Sequence, residues 1–149
     1  LLSAWKNDVG KVATYVADCR SLGIDVLPPD INTSGFDFSI EDRENGPPAI
    51  RFGLGAIKNV GSHPGELIME ARQSGPFSDL TDFAHRVDLR QVGRRPLECL
   101  IKVGSLDSFG SRHALLNSLD SILAFSSSYF RALVLVVRRI ADEGNALTV

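Results

Sequence analysis

Four basic side chains stand beside two glycine-containing turns, in a pattern that could bind phosphate. Lys58 lies three residues before Gly61, and three arginines flank Gly93. Apolar residues at helical spacing follow both glycines, so we expect a helix to begin just after each turn. The first turn of a helix carries unpaired N–H groups and the positive end of the dipole, which favour a phosphate oxygen. The candidate phosphate-binding residues are Lys58, Asn59, Gly61, Ser62, Arg90, Gly93, Arg94 and Arg95.

The two turns belong to a repeat. The run IKNVGSHPGELI at 57–68 aligns without gaps on LRQVGRRPLECL at 89–100, at an offset of 32 residues. Two helix-hairpin-helix units packed together commonly grip a nucleic-acid backbone whatever its base sequence. The alternative is an ordinary helical connector that uses glycine and proline as punctuation, with the arginines on a solvated helix face.

The elements that position these turns are a helix and a β-hairpin. Residues 11–22 place apolar side chains on one helical face, and Gly23 follows as a C-terminal cap. Residues 36–40 and 50–54 alternate apolar and polar positions around a long polar loop, which predicts a β-hairpin. We expect the helix to cover the aromatic face of this hairpin. In the first turn, Ser62 is the expected N-cap of the following helix.

The remainder of the chain is predicted to be helical. Leucines and isoleucines between residues 115 and 123 form one helical face, and the serines at 126–128 predict a break. The tail after that break is then too short to span a bilayer. The fold class is mostly helical α+β, divided into a helix and β-hairpin subdomain (1–54), a tandem helix-hairpin-helix DNA-binding region (55–127) and a divergent tail (128–149).

Composition limits the possible functions. The 149 residues carry a formal net charge of −2 and 44% hydrophobic residues, which is typical of a globular protein. Residues 50–113 hold 9 basic and 7 acidic side chains, the only net basic part, so backbone contact should be weak and sensitive to salt. Cys19 and Cys99 suit reduced thiols in the cytoplasm, and the histidines lie too far apart to indicate a metal site. No signal sequence or apolar run of about 18 residues indicates a membrane.

The runs GIDVLPPDIN, IRFGLGAIKNVG and RRPLECLIKVGSLDSFG carry a resemblance. Over residues 10–125 they closely resemble the bacterial replicative DNA polymerase III alpha subunits, the C family of DNA polymerases. The resemblance implies a segment from the end of the fingers through a tandem helix-hairpin-helix region that contacts duplex DNA during DNA replication. It also implies as partners duplex DNA, the rest of the alpha subunit and the sliding clamp, in the cytoplasm.

The resemblance implies little chemistry in this chain. The nucleotidyltransferase activity of the family depends on aspartates in the palm that bind magnesium, and their Asp-rich motif does not occur here. We therefore expect no catalytic residue, no metal and no cofactor in this segment, and we interpret Asp30, Asp37 and Asp107 as turn and cap residues. Two departures stand out: Gly93 replaces a common asparagine, and residues 126–149 lack the family's clamp-binding motif with an apolar-Phe pair.

Two other functions compete with duplex binding. The chain could be a protein-interaction scaffold that orders the fingers and the clamp-binding region, with the hairpins contributing only packing. A repair enzyme built on the same hairpins would need a base-flipping pocket with a catalytic Lys or Asp, which the sequence does not indicate. Convergence of Lys58, Arg90, Arg94 and Arg95 on one exposed face would favour DNA over the scaffold.

Overall fold

The structure is a computed structural model that describes residues 9–147, with side-chain exposures for 13–144. It is mostly helical with one small sheet, as the sequence predicts. In chain order the elements are α1 (Val9–Ser21), β1 (Val26–Leu27), β2 (Ser39–Glu41), β3 (Ala49–Arg51), a 3-10 turn (Leu54–Ala56), α2 (Ser62–Arg72), α3 (Leu80–Arg86), α4 (Leu89–Val92), α5 (Arg94–Lys102), a second 3-10 turn (Asp107–Phe109), α6 (Arg112–Asn117) and α7 (Leu119–Leu147).

The sheet confirms the predicted hairpin but extends it. β2 and β3 pair antiparallel with Ile40 opposite Ile50, and β1 adds a parallel strand on the other side of β3. Across the hairpin, Arg51 donates to both carboxylate oxygens of Glu41, at 2.7 and 2.9 Å. This bidentate pair fixes the register of two strands that are only three residues long.

The expectation that α1 covers the hairpin is wrong. α1 contacts β1, and none of its side chains between residues 13 and 21 is buried. The ring of Phe36 lies against Gly55 and Gly65, where an added Cβ would come within 2.6 and 2.5 Å of ring carbons. Phe36, which precedes β2, therefore packs on the 3-10 turn and on the start of α2.

One hydrophobic core joins the two turn-and-helix units. Fully buried side chains come from the first unit, from α3 and from the second unit, and α7 closes the core with Leu119 and Ile122. The largest of these buried side chains are Ile31, Leu54, Ile68, Phe83, Leu89, Leu97, Leu100, Ile101 and Leu106.

The predicted break at residues 126–128 is wrong, because α7 runs unbroken from Leu119 to Leu147. The buried hydroxyl of Ser126 accepts from the Leu89 amide at 3.1 Å and donates to the Val87 carbonyl at 3.2 Å. This serine therefore binds α7 to the junction between α3 and α4 instead of ending the helix.

The continuous helix also bears on the expectation about a bilayer. Residues Leu119–Gly144 of α7 are long and apolar enough to cross a bilayer, with a mean hydropathy of 1.4 and 11% of the apolar window buried. Long core helices of soluble proteins satisfy the same criterion. That span begins ten residues before Tyr129, so the expectation for the tail taken alone stays a prediction.

Candidate nucleic-acid interface

α2 and α5 begin in the same way, each directly after a glycine. The first amides bonded within the helices are Gly65, which donates to Gly61 at 3.2 Å, and Leu97, which donates to Gly93 at 3.2 Å. Three residues separate each glycine from the first bonded amide. The first two have amides free of intrahelical bonds, and the third is a proline, which has no N–H group. The free amides belong to Ser62, His63, Arg94 and Arg95.

No side chain caps these two helix starts. Neither α2 nor α5 has a side-chain cap or an acidic residue in its first turn. By contrast, Asp79 accepts from the Asp82 amide at the start of α3, Asp88 from Arg90 at α4, and Ser111 from Ala114 at α6. The starts of α2 and α5 therefore keep uncompensated N–H groups and positive dipole ends, which an external anion would stabilise. Ser62 is the first residue of α2 and not the predicted N-cap, which is Gly61.

The two glycines differ in backbone conformation. Gly93 has φ 95° and ψ 156°, a region essentially limited to glycine. Gly61 has φ −80° and ψ −175°, which any residue adopts, and an added Cβ would meet nothing within 4 Å. In the first turn the positive φ belongs to Asn59, at 68°. The repeat in sequence is thus built from two different turns.

The four candidate cations differ in their partners. Arg90 pairs with Asp88 at 3.2 Å, and Arg94 pairs with Asp120 of α7. Lys58 and Arg95 are exposed and form no ion pair or hydrogen bond within the part of the chain that the structure describes. These two side chains are available to neutralise an external anion without breaking an existing pair.

A contact between the two units sets where these cations lie. The Asn59 side-chain amide donates to the Cys99 sulfur at 3.3 Å, which places the first turn against α5. Arg95 lies one helical turn before Cys99 and so shares its face of α5, while Lys58 adjoins Asn59. Arg90 and Arg94 instead border an open pocket of about 350 Å³ beside α7. Arg90 and Arg94 thus share one pocket, whereas Lys58 and Arg95 lie outside its lining.

Comparison with known proteins gives the family. A model of the helix-hairpin-helix motif matches residues 23–116, more than half of the chain. The chain belongs to the helix-hairpin-helix family.

Relatives of this helix-hairpin-helix chain are much longer proteins. It is 48% identical to the DNA polymerase III subunit alpha of Thermus aquaticus over 85% of this chain and 10% of that protein. The corresponding subunit of Campylobacter jejuni is 42% identical over 82% of this chain and 10% of that protein. The subunit of Vibrio cholerae is 42% identical over 89% of this chain and 11% of that protein. The resemblance to these alpha subunits is confirmed, and the chain spans about a tenth of their length.

One residue of the first helix-hairpin-helix unit escaped the sequence reasoning. His63 is exposed at the second position of α2, and the 32-residue offset places it opposite Arg95. The 32-residue repeat contains this signal, because it aligns His63 with Arg95, but histidine is not a permanently charged residue type. Asn59 is a predicted phosphate ligand, and in the structure its side chain donates to the Cys99 sulfur.

Charged side chains outside the two turns are used in local structure. Asp30 accepts from the amides of Asn32 and Thr33, and Asp107 pairs with Arg112 at 3.0 Å. Lys102, and to a lesser extent Arg94 and Arg95, hold the pKa of Glu98 below its usual value. Among the described residues no group of three or more His, Cys, Asp or Glu side chains is placed to hold a metal.

Proposed function

We propose that this chain is the duplex-binding segment of a DNA-directed DNA polymerase of the bacterial polymerase III alpha type. In this role the starts of α2 and α5 each hold a backbone phosphate during DNA replication, without reading the base sequence. Lys58 and Arg95 supply the charge that neutralises those phosphates.

One observation carries this proposal: the contrast between capped and uncapped helix starts. Side chains cap α3, α4 and α6, whereas α2 and α5 begin on glycines with free amides. An uncapped start leaves N–H groups that water must satisfy, and a phosphate satisfies them better because it is charged. The starts of α2 and α5 both lie in the repeat, and unpaired cations accompany them.

A specific observation favours the second candidate, a packing scaffold. Arg90 and Arg94 are neutralised by Asp88 and Asp120, and Asn59 is engaged with Cys99. In that case the repeat would serve to hold α2, α5 and α7 together. The response of the free amides to DNA separates the two candidates.

The test follows backbone amides by NMR while two duplexes of unrelated sequence are added. We expect shifts at Ser62, His63, Arg94 and Arg95, equal for both duplexes and lost at high salt. The capped start of α3 supplies an internal control, because the Asp82 amide is already bonded to Asp79 and should not shift. If the four amides do not shift, the proposal is contradicted and the scaffold is favoured. Unequal shifts with the two duplexes would also contradict the proposal.

We propose further that the chain alone does not incorporate nucleotides, since the palm of such polymerases lies outside this segment. Primer extension with magnesium and nucleotides should show no incorporation that depends on the chain. The rest of the alpha subunit and the sliding clamp are proposed partners of the parent polymerase, and the cytoplasm is its proposed location.

A further inference from the structure

The two ion pairs beside the second glycine turn are built differently. The side chain of Asp88 is 9% exposed, and it accepts from the Arg90 amide, from the Arg90 guanidinium and from Gln91 at 3.2–3.3 Å. The side chain of Asp120 is 83% exposed, and Arg94 is the only described residue that bonds to it. Asp120 can therefore release its arginine without leaving a buried polar group unsatisfied, whereas Asp88 cannot.

The backbone that carries Asp120 is fixed in place. Leu119 and Ile122 on either side of it are buried, and the hydrogen bonds of Ser126 hold α7 to the α3–α4 junction. Asp120 also lies in the first turn of α7, where the helix dipole favours a negative charge. Only the side chain has to rotate when the pair with Arg94 breaks, and the carboxylate remains within reach of Arg94.

The partner of Asp120 belongs to one of the proposed phosphate sites. Arg94 is the first residue of α5, and its amide is one of the four that lack an intrahelical bond. Its guanidinium is 56% exposed and already bonds to a carboxylate oxygen. A phosphate bound at the start of α5 would offer the same kind of acceptor to the same guanidinium. The carboxylate and the phosphate therefore compete for Arg94.

We propose that Asp120 is an internal competitor of the backbone phosphate that binds at the start of α5. In the free chain Asp120 holds Arg94, and on duplex binding the phosphate takes its place while the carboxylate turns to solvent. This inference rests on the proposed function, and it adds a residue that lowers the affinity for duplex. The first unit has no such competitor, because Lys58 forms no ion pair with a described residue.

The competition is expected to weaken binding without preventing it. An exposed ion pair shifts an equilibrium by no more than about fivefold. A phosphate at the start of α5 accepts from free amides as well as from Arg94, which the carboxylate of Asp120 does not, since no described amide donates to it. Phosphate therefore displaces Asp120 once the duplex is bound.

Fluorescence anisotropy of the full chain with a labelled duplex tests the competition. Asp120→Asn keeps the shape of the side chain and removes its charge, so we expect about two- to fivefold tighter binding at low salt. Asp25→Asn is the matched control, because it removes the same charge from an exposed pair with Arg43 near the sheet and should leave the affinity unchanged. Circular dichroism checks that both variants are folded.

A double-mutant cycle shows whether Asp120 acts through Arg94. With Arg94→Ala in place, Asp120→Asn should tighten binding at most slightly. With Asp120→Asn in place, Arg94→Ala should reduce the slope of log affinity against log salt by about 0.9, which is more than in the wild type. Equal tightening by Asp120→Asn with and without Arg94, or no tightening at all, would overturn the competition.

The outcomes also separate this inference from the proposed function. Duplex binding that weakens with Lys58→Ala and Arg95→Ala but does not respond to Asp120→Asn would overturn the competition alone. If neither the wild type nor Asp120→Asn binds duplex at low salt, the proposed function and the competition are both overturned.

Discussion

Gly61 and Gly93 are equivalent in sequence but not in backbone conformation. Both are N-caps of a helix, so replacing either by alanine loses the same capping preference. Only Gly93 has a φ that an L side chain resists. The difference between the two substitutions therefore isolates the turn geometry.

We predict that Gly93→Ala destabilises the protein by about 1–3 kcal/mol more than Gly61→Ala. The expected reason is strain at φ 95°, since an added Cβ at Gly61 meets nothing within 4 Å. Urea unfolding of the two variants and the wild type provides the measurement. Equal midpoints for the two variants would show that the second turn relaxes without strain.

Asp82 makes the stability depend on pH. The amide of Ser78 and then the side chain of Arg86 hold the pKa of Asp82 below its usual value. A carboxyl whose pKa is lower in the folded state stabilises the fold above its unfolded value, near 4, and this contribution is lost as pH falls through the folded pKa. We predict that Asp82→Asn lowers stability at pH 7 and flattens the loss of stability below about pH 4. Urea midpoints measured across that pH range give the effect, and Asp42→Asn in the exposed hairpin loop is the control. Parallel curves of stability against pH for the wild type and Asp82→Asn would contradict the prediction.

At the scale of elements, local signals predict helix boundaries except where a distant contact overrides them. The start of α2 at residue 62 and of α5 at residue 94 follows from glycine and proline punctuation, which acts within a few residues. The run of serines at 126–128 predicts a break because serine competes for backbone hydrogen bonds. The bond between Ser126 and residues 87 and 89 overrides that preference, and it joins positions that are nearly forty residues apart.

Ser126→Ala should therefore destabilise the protein, by about 1–3 kcal/mol, because it leaves the buried Leu89 amide and Val87 carbonyl without this partner. Ser128→Ala is the matched control, since Ser128 is exposed on the same turn of α7. Thermal or urea unfolding measures both. Equal stability of the two variants would mean that the Ser126 hydroxyl does not hold α7 to the α3–α4 junction.

At the scale of the whole molecule, the sequence identifies candidate glycines and cations but not which of them pack together. The repeat identifies the glycines and cations because they are local features of two similar segments. Which cations stay unpaired depends on partners such as Asp120, which α7 brings to Arg94 from 26 residues away. The contact between Asn59 and Cys99 likewise spans 40 residues, and it places the first turn against α5. Such groupings follow from packing and cannot be obtained from spacing.

The salt dependence of duplex binding tests the central claim most directly. Removing one cation that neutralises a phosphate should reduce the slope of log affinity against log salt by about 0.9, so Lys58→Ala with Arg95→Ala should reduce it by about 1.8. Arg94→Ala should have a smaller effect because Asp120 already neutralises it, and Arg43→Ala, whose partner is Asp25 near the sheet, should have none. Fluorescence anisotropy at several salt concentrations gives the slopes, and circular dichroism checks folding. A folded double variant with the wild-type slope would contradict phosphate binding by the two hairpins.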